Sequence, residues 1–232
     1  MFNHVELNLP KLERELIDGV RYYKIGDSNP FRAVSITSVI SHYNKHIFEK
    51  WRKRVGNEEA DRITRQSTSR GTDAHTLIEN YLYNKDLPSV QPISEFLFKI
   101  AKPELNKINN IYALEGSLYS EFFGIAGTVD CIAEYNGELA IIDFKTSKEP
   151  KPREWIEHYF VQCCAYACML YELTGISVKK FVIIMTCTNG EVVVYEETDK
   201  EKYIRLLTKY ISKFVQDKLS SHANRNKDQT TE

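Results

Sequence analysis

The 232-residue chain is 42% hydrophobic and 27% charged, enough apolar material for one globular domain with a packed core. Its 31 Lys and Arg residues balance its 32 Asp and Glu residues. This balance excludes a general charge attraction to nucleic acids or membranes, so any such binding must come from local patches. No apolar run reaches the length of a membrane span, and the polar start is typical of neither a signal nor a transit peptide.

The five cysteines form no CxxC pair and lie mostly within apolar runs. Their odd number and their surroundings predict buried, reduced thiols. Together with the absence of targeting signals, this indicates a cytoplasmic protein without a membrane partner.

The first part of the chain is predicted to be mainly helical. Residues 1–33 are interpreted as a short adaptor, and residues 34–110 as the helical part of the main domain. The β-branched run 34–40 fits a strand or the entry to a helix. Apolar periodicity then predicts a two-piece helix over 42–66, a helix over 72–83, and a helix that follows a proline-containing linker and ends near residue 109. In the first of these, Gly56-Asn57 forms the break, and Asn57 is expected to cap the second piece.

Residues 111–219 show the alternation of an α/β core. Five strands are predicted there: 111–121, 125–134, 138–146, 179–187 and 191–197. An apolar helix over 154–173 separates the third strand from the fourth, which predicts a parallel pair with a right-handed crossover. An amphipathic helix over 199–219 closes the fold, and the polar tail 220–232 is expected to be disordered. We therefore predict a mixed β-sheet flanked by helices, with an N-terminal helical lobe.

Asn136-Gly137 predicts a two-residue type I′ turn between the strands 125–134 and 138–146. Counting outward from this turn pairs Asp130 with Asp143 on one face, as a close non-hydrogen-bonded pair with Cα atoms about 4.5 Å apart. Lys145 lies two residues further along the same face. The pairs on the opposite, core face are Val129/Phe144, Cys131/Ile142 and Ala133/Ala140.

Two like charges that face each other destabilise a sheet, and burial increases the cost. A hard divalent cation held by the two carboxylates of Asp130 and Asp143 would offset it. The alternative is that both acids lie at a solvated end of the sheet, with Asp143 and Lys145 as a surface ion pair.

The residues in this region resemble those of a known family. Asp130 in GTVD and Asp143-Phe144-Lys145 in IIDFKTS resemble the PD-(D/E)xK nuclease superfamily, and more narrowly its RecB-type exonuclease branch. His75 in RGTDAH resembles the helical histidine of that branch, and Gln162 with Tyr166 resembles its QxxxY motif. The stretch from Ser35 to His75 is similar to the N-terminal region of the mitochondrial genome maintenance exonucleases and their phage and bacterial relatives.

The resemblance implies a restriction-endonuclease-like fold and a divalent-metal site. It implies that His75, Asp130, Asp143 and the Phe144 carbonyl bind Mg²⁺ or Mn²⁺, of which an imidazole ligand suits Mn²⁺ better. Lys145 would orient or deprotonate the attacking water, or stabilise the developing charge. Taken alone, His75 also fits a boundary histidine without a ligand role.

Further residues are candidates for contact with the nucleic acid, each with a plainer alternative. Gln162 and Tyr166 share one helix face, which would serve substrate contact or simple packing. Thr146 and Ser147 would bond a phosphate oxygen or end their strand. Glu115 is an additional acid of the site or a solvated strand residue.

The segment 45–70 carries eight basic and four acidic residues, with Tyr43 and Trp51 nearby. It would track a nucleic-acid strand through phosphate contacts and stacking, or it forms a solvated helix face. Arg70 is the candidate within this segment for phosphate binding.

The resemblance implies a metal-dependent DNA exonuclease that prefers single-stranded ends and takes part in replication, recombination or repair. Its expected setting is the cytoplasm of a bacterial cell or of a phage-infected host. The alternatives are a structure-specific or restriction-like endonuclease, a non-catalytic DNA-binding module with a relic site, and a domain in which a metal is purely structural.

Overall fold

The computed structural model describes residues 1–26 and 30–228 of the chain. Its strands are β1 (Glu13–Ile17), β2 (Val20–Ile25), β3 (Phe31–Ser35), β4 (Ile108–Ser120), β5 (Ile125–Tyr135), β6 (Glu138–Ser147), β7 (Lys180–Cys187) and β8 (Val192–Glu197). Its helices are α1 (Ile36–Tyr43), α2 (Lys45–Val55), α3 (Asn57–Leu82), α4 (Pro92–Leu105), α5 (Glu157–Thr174) and α6 (Lys200–Asp228). Within this described part, no helix combines the length and the apolar character that crossing a bilayer requires.

The strands form one mixed sheet in the order β1-β2-β3-β5-β6-β7-β8, and β4 pairs with β5 outside this path. Helices α1, α5 and α6 cover one face around a core that includes Ile132 and Ile141. Helices α3 and α4 cover the other face around Cys131, Ala133 and Phe144. The predicted fold class, a mixed sheet flanked by helices, is confirmed.

The β5–β6 hairpin has the predicted turn and register. Asn136 and Gly137 both have positive φ angles, 54° and 81°, as a type I′ turn requires. The pairing runs from Tyr135↔Glu138 to Cys131↔Ile142. The parallel pairing predicted across the helical crossover is also present, between β6 and β7.

The two strands separate one step beyond Cys131, at Asp130 and Asp143. Past this point β5 pairs in parallel with β3, through Ser35↔Ala126, while β6 stays paired with β7. The Asp130 carboxylate enters the gap, where Oδ2 accepts a hydrogen bond from the Phe144 N–H at 3.0 Å. The expected close Asp130/Asp143 pair is therefore replaced by a fork in the sheet.

The fork also explains an error on the predicted core face. The predicted register pairs Val129 with Phe144 on one face. In the structure, Val129 packs in the core beneath α5, and Phe144 packs against α3 and α4. Because β5 and β6 separate at Asp130, residues beyond this point that would have been cross-strand partners no longer lie on the same face of the sheet.

Residues 1–33, interpreted as an adaptor, supply the strands β1 and β2 of the same sheet. Their turn at Asp18-Gly19 has φ angles of 50° and 74°, again typical of type I′. The run 34–40, predicted to be either a strand or the entry to a helix, contains parts of both. Strand β3 ends at Ser35, and α1 begins at Ile36.

Two details of the helical part differ from the prediction. The pieces expected over 57–66 and 72–83 are one continuous helix, α3, which passes through Gly71. The expected cap is also absent: Gly56 precedes the helix with φ 86°, and Asn57 instead accepts a hydrogen bond from Arg52 at 3.3 Å. Glycine adopts a positive φ without steric cost, so Gly56 can separate α2 from α3 without a side-chain cap.

Helix α6 continues past Leu219, where the closing helix was expected to end, as far as Asp228. Ser220 and Ser221 donate hydrogen bonds to the carbonyls of Gln216 and Asp217, four residues earlier, so the helical path is kept. The last four residues of the predicted disordered tail, 229–232, lie outside the described residues.

Gly127 on β5 leaves room for the ring of Tyr166 on α5. A Cβ at Gly127 would lie 2.7 Å from the Tyr166 ring and 3.1 Å from Ile36, both of them buried. Gly127→Ala is expected to lower the free energy of unfolding by about 1–3 kcal/mol through overpacking. Urea denaturation would measure this change.

Gly71→Ala is the matched control for this prediction. Gly71 lies inside α3, and a Cβ there would meet only Thr146 Oγ1, at 3.8 Å. Alanine at this position is expected to stabilise the protein by about 0.5–1 kcal/mol. Equal effects of the two substitutions would contradict the close approach of Tyr166 to Gly127.

Candidate active site

The fork in the sheet opens into a groove of about 610 Å³ between α3, α5 and the β1–β3 strands. Its lining combines acids, bases and hydroxyl groups: Arg14, Arg21, Tyr23, Ser35, Thr37, Gly71, Thr72, His75, Thr76, Glu79, Glu115, Thr128, Asp130, Gln162 and Tyr166. Four of the predicted site residues, His75, Asp130, Gln162 and Tyr166, are therefore brought together here, and so is Glu115.

His75, Glu115 and Asp130 form the centre of the groove. Each offers one ligand atom, and these atoms lie within 4.8 Å of one another. His75 Nε2 lies 2.8 Å from the Phe144 carbonyl oxygen, and Nδ1 lies 3.7 Å from Asp130 Oδ2. A carbonyl oxygen only accepts, so Nε2 donates the hydrogen bond, and in the neutral ring the Nδ1 lone pair faces a carboxylate. A cation would relieve this contact between two acceptors.

Glu115, predicted to be either an additional acid of the site or a solvated strand residue, lies in this cluster. The pairs Leu114↔Cys131 and Gly116↔Val129 flank it, so it faces Asp130 across the β4–β5 ladder. Its φ of 48° is left-handed, an uncommon conformation for a residue other than glycine. Burial and the negative charge of Asp130 raise the pKa of Glu115 to about 7.

Asp143 and Lys145 lie beside the cluster, deeper in the sheet. Asp143 is only 1% exposed and forms an ion pair with the Lys145 ammonium. Burial, more than the Asp130 charge, raises the pKa of Asp143 to about 6. Burial lowers the pKa of Lys145, but the carboxylates of Asp143 and Asp130 outweigh this effect and hold it above its ordinary value.

Asp143 Oδ2 contacts the Lys145 ammonium directly, whereas Oδ1 is buried with no hydrogen-bond partner among the described residues. A buried carboxylate with free lone pairs is costly, and one common solution is a metal ion. The surface ion pair considered as an alternative does not fit, because Asp143 is fully buried.

Gln162 and Tyr166 lie on one face of α5, as their spacing predicts. Gln162 Nε2 donates to the Tyr166 hydroxyl at 3.1 Å. Tyr166 is 1% exposed and packs against Gly127, while Gln162 is partly exposed in the groove. Tyr166 therefore packs α5 against the sheet, and Gln162 forms part of the groove wall.

The remaining predicted contacts lie around the end of β6. Thr146 Oγ1 approaches Gly71 of α3, and Ser147 is buried with its carbonyl accepting from the Thr188 N–H at 3.0 Å. Arg70 is half-buried, and its Nη2 donates to the Ser67 hydroxyl at 3.5 Å. Its Nε atom is buried without a partner among the described residues.

The basic segment 45–70 is partly neutralised by its own acids. Arg52 pairs with Asp61, and Arg62 with Glu59, both at 2.6 Å. Helix α2 buries none of its residues, which fits the solvated-face alternative as well as a nucleic-acid surface.

Among the groove residues that sequence reasoning missed are those on the β1–β2 hairpin: Arg14, Arg21 and Tyr23. Arg14 Nη2 donates to Thr128 Oγ1 at 2.7 Å, and the Tyr23 hydroxyl lies 3.2 Å from the same oxygen. Asp18-Gly19, between two alternating runs, is the signal that predicts this hairpin.

Comparison with known proteins identifies a nuclease family. The model of the PD-(D/E)XK nuclease superfamily matches residues 46–229, most of the chain. Mitochondrial genome maintenance exonuclease 1 of Homo sapiens is 30% identical over 115 residues, which are 46% of this chain and 33% of that protein. The Xenopus tropicalis protein of the same name is 29% identical over 110 residues, 45% of this chain and 32% of that protein.

The chain thus spans about a third of the length of these curated relatives. Among solved structures, the crystal structure of SSO0001 aligns with a TM-score of 0.38 and 15% identity. The alignment covers 81% of this chain and 78% of that chain.

Proposed function

Because the chain belongs to the PD-(D/E)XK nuclease superfamily, we propose that it is a metal-dependent DNA exonuclease that prefers single-stranded ends. The exonuclease part of this proposal draws on the name of the relatives that the chain resembles. Replication, recombination or repair of DNA is the proposed setting.

The observation that carries the metal site is the convergence of three ligand groups. The ligand atoms of His75, Glu115 and Asp130 lie within 4.8 Å of one another, and Asp143 Oδ1, buried beside them, has no hydrogen-bond partner in the described part of the chain. Carboxylates with one imidazole are a donor set for Mg²⁺ or Mn²⁺, with the imidazole favouring Mn²⁺. We propose His75, Asp130 and Asp143 as ligands, with Glu115 as a further acid. The Phe144 carbonyl, which the resemblance implies as a ligand, accepts from His75 Nε2 and would have to exchange that hydrogen bond for the cation.

A bound divalent cation would stabilise charge on the phosphate and the leaving oxygen and would acidify the attacking water. Lys145 would orient that water, or donate from its ammonium to the charge that develops on the phosphate. Arg14 and Arg21 would hold the substrate backbone at the groove wall by charge-assisted hydrogen bonds. Arg70, Gln162, Tyr166, Thr146 and Ser147 remain proposed contacts to the strand.

Cleavage of three labelled substrates tests the proposal: a 5′-labelled linear strand, a 3′-labelled linear strand and a closed circular single strand. Each is incubated with Mg²⁺, Mn²⁺ or EDTA. We expect metal-dependent loss of both linear strands, with the circle intact, and the order of products gives the direction. A duplex of the same sequence tests the single-strand preference.

Two outcomes would favour the other functions. Cutting of the closed circle would indicate a structure-specific or restriction-like endonuclease. Binding of DNA without cleavage in either metal would indicate a DNA-binding module whose site no longer acts.

A further inference from the structure

The segment that follows β6, which contains Lys151, is held in one position. Lys151 lies between Pro150 and Pro152, whose rings restrict the backbone. The Tyr195 hydroxyl donates to the Lys151 carbonyl at 2.6 Å, and the Thr188 hydroxyl donates to the Lys148 carbonyl at 3.2 Å. The Lys151 side chain therefore starts from a fixed backbone.

Lys151 points to Tyr159 in the first turn of α5. Its Nζ donates to the Tyr159 hydroxyl at 3.1 Å and lies 5.5 Å from the ring centre. Lys145 Nζ lies 5.1 Å from the centre of the same ring. One aromatic ring thus positions two ammonium groups, one of them in the proposed catalytic set.

The two ammonium groups differ in their counter-charges. Lys145 is paired with Asp143, whereas Lys151, which is half-buried, takes part in no ion pair within the described residues. The acid at the start of α5, Glu157, is directed to Lys202 at 2.9 Å. Burial and the charges of Lys151 and Lys145 lower the pKa of His158 to about 4, so this neighbour is neutral at pH 7.

The first turn of α5 adds to this electropositive corner. No side chain of the described residues caps the helix, and its start carries the positive end of the helix dipole, although the Tyr159 N–H already donates to the Ile156 carbonyl at 2.8 Å. A half-buried ammonium without an acid, beside such a helix start, provides the charge and the donors that a phosphate group accepts.

We propose that Lys151 and Tyr159, with the start of α5, form a subsite for a phosphate group of the DNA strand next to the phosphate that is cleaved. This inference rests on the proposed function, because it takes Lys145 to mark the position of the reacting phosphate. The phosphate is an internal phosphodiester or a terminal phosphate of the strand.

Binding of a fluorescent single-stranded oligonucleotide in EDTA, across a range of salt concentrations, tests the subsite without cleavage. Lys151→Gln is expected to raise Kd about fivefold, independently of sequence, and to reduce the slope of log K against log salt by about 0.7. Lys151→Arg is expected to retain most of the affinity, since it keeps the charge. A lysine that only braced its loop would leave the salt slope unchanged.

Lys85→Gln is the matched control. Lys85 also lies over a tyrosine ring, 4.4 Å from the centre of Tyr83, but it lines a separate cavity with Phe2, Tyr81 and Asn106. Its removal is expected to leave Kd and the salt slope unchanged.

Oligonucleotides with hydroxyl or phosphate groups at the 5′ and 3′ ends distinguish an internal phosphodiester from a terminal phosphate at the subsite. An equal effect on all ends assigns an internal phosphodiester, and an effect confined to one phosphorylated end assigns a terminal phosphate.

An unchanged Kd and salt slope for Lys151→Gln would overturn the subsite, as would an equal effect of Lys85→Gln. Failure of the proposed function looks different. A wild-type protein that binds the oligonucleotide but cleaves none in Mg²⁺ or Mn²⁺ would refute the nuclease, whereas the Lys151 comparison in EDTA would still identify the phosphate contact.

Discussion

Asp130→Asn is expected to reduce metal-dependent DNA cleavage by roughly 10³-fold or more, with the fold retained. The Asn side-chain oxygen can still accept the Phe144 N–H, so the gap between β5 and β6 stays filled. The negative charge facing His75 and Glu115 is lost, and with it much of the affinity for a divalent cation. Initial rates on a labelled single strand in Mg²⁺ and Mn²⁺ measure the effect.

Thermal unfolding gives a second readout that does not depend on cleavage. A cation at 100 times its Kd stabilises the folded state by about 2.7 kcal/mol, so it should raise the wild-type melting temperature. We expect most of that rise to disappear in Asp130→Asn.

Glu134→Gln is the control for Asp130→Asn. Glu134 is on the same strand but accepts from Asn110 at 2.8 Å, which glutamine can still do. Its cleavage rate and its response to metal are expected to match wild type. A wild-type rate for Asp130→Asn would contradict the assignment of the metal site.

Lys145→Met is expected to lower the free energy of unfolding in EDTA by about 3–5 kcal/mol. Methionine keeps the length of the side chain but leaves the Asp143 carboxylate, 1% exposed, without its counter-charge. Adding Asp143→Asn removes that charge, so the double variant should recover much of the loss. Both variants are expected to be inactive, because each lacks a proposed catalytic group.

Urea unfolding of the wild type, the two single variants and the double variant measures the coupling between Asp143 and Lys145. A double variant less stable than Lys145→Met would mean that the two groups do not interact as a buried pair. An effect of Lys145→Met near zero would mean that Asp143 is not held as a buried, charged carboxylate.

The hairpin at the centre of the site could be predicted because its information is local. Asn136-Gly137 sets the turn, and the turn sets the register as far as Cys131 and Ile142. The pairing beyond that point depends on β3, which joins β5 at Ser35 and Ala126 from a distant part of the sequence. Local patterns carry no information about such a contact, so the fork at Asp130 could not be predicted.

The candidate residues of the metal site were found by their motif rather than by their contacts. Glu115 faces Asp130 because two irregularities in β4, before Ala113, shift the register of its pairing with β5. No pattern in the sequence indicates these irregularities. Arg14 and Arg21 were missed for another reason: β1 is a short, mostly exposed edge strand in which the alternation of faces is weak, and Arg21 lies at the start of β2, next to the turn.

The division of the groove between two parts of the chain has a consequence for folding order. Strands β4 to β8 are joined by hairpins and one crossover, so their contacts are close in sequence and should form early. His75 arrives on α3, and Arg14 on β1, through contacts that span more of the chain and cost more loop-closure entropy. An intermediate with only the β4–β8 part folded would contain Glu115, Asp130, Asp143 and Lys145 without His75 and Arg14. Such an intermediate should have no nuclease activity, so activity should appear only after α3 and β1 have packed against this part.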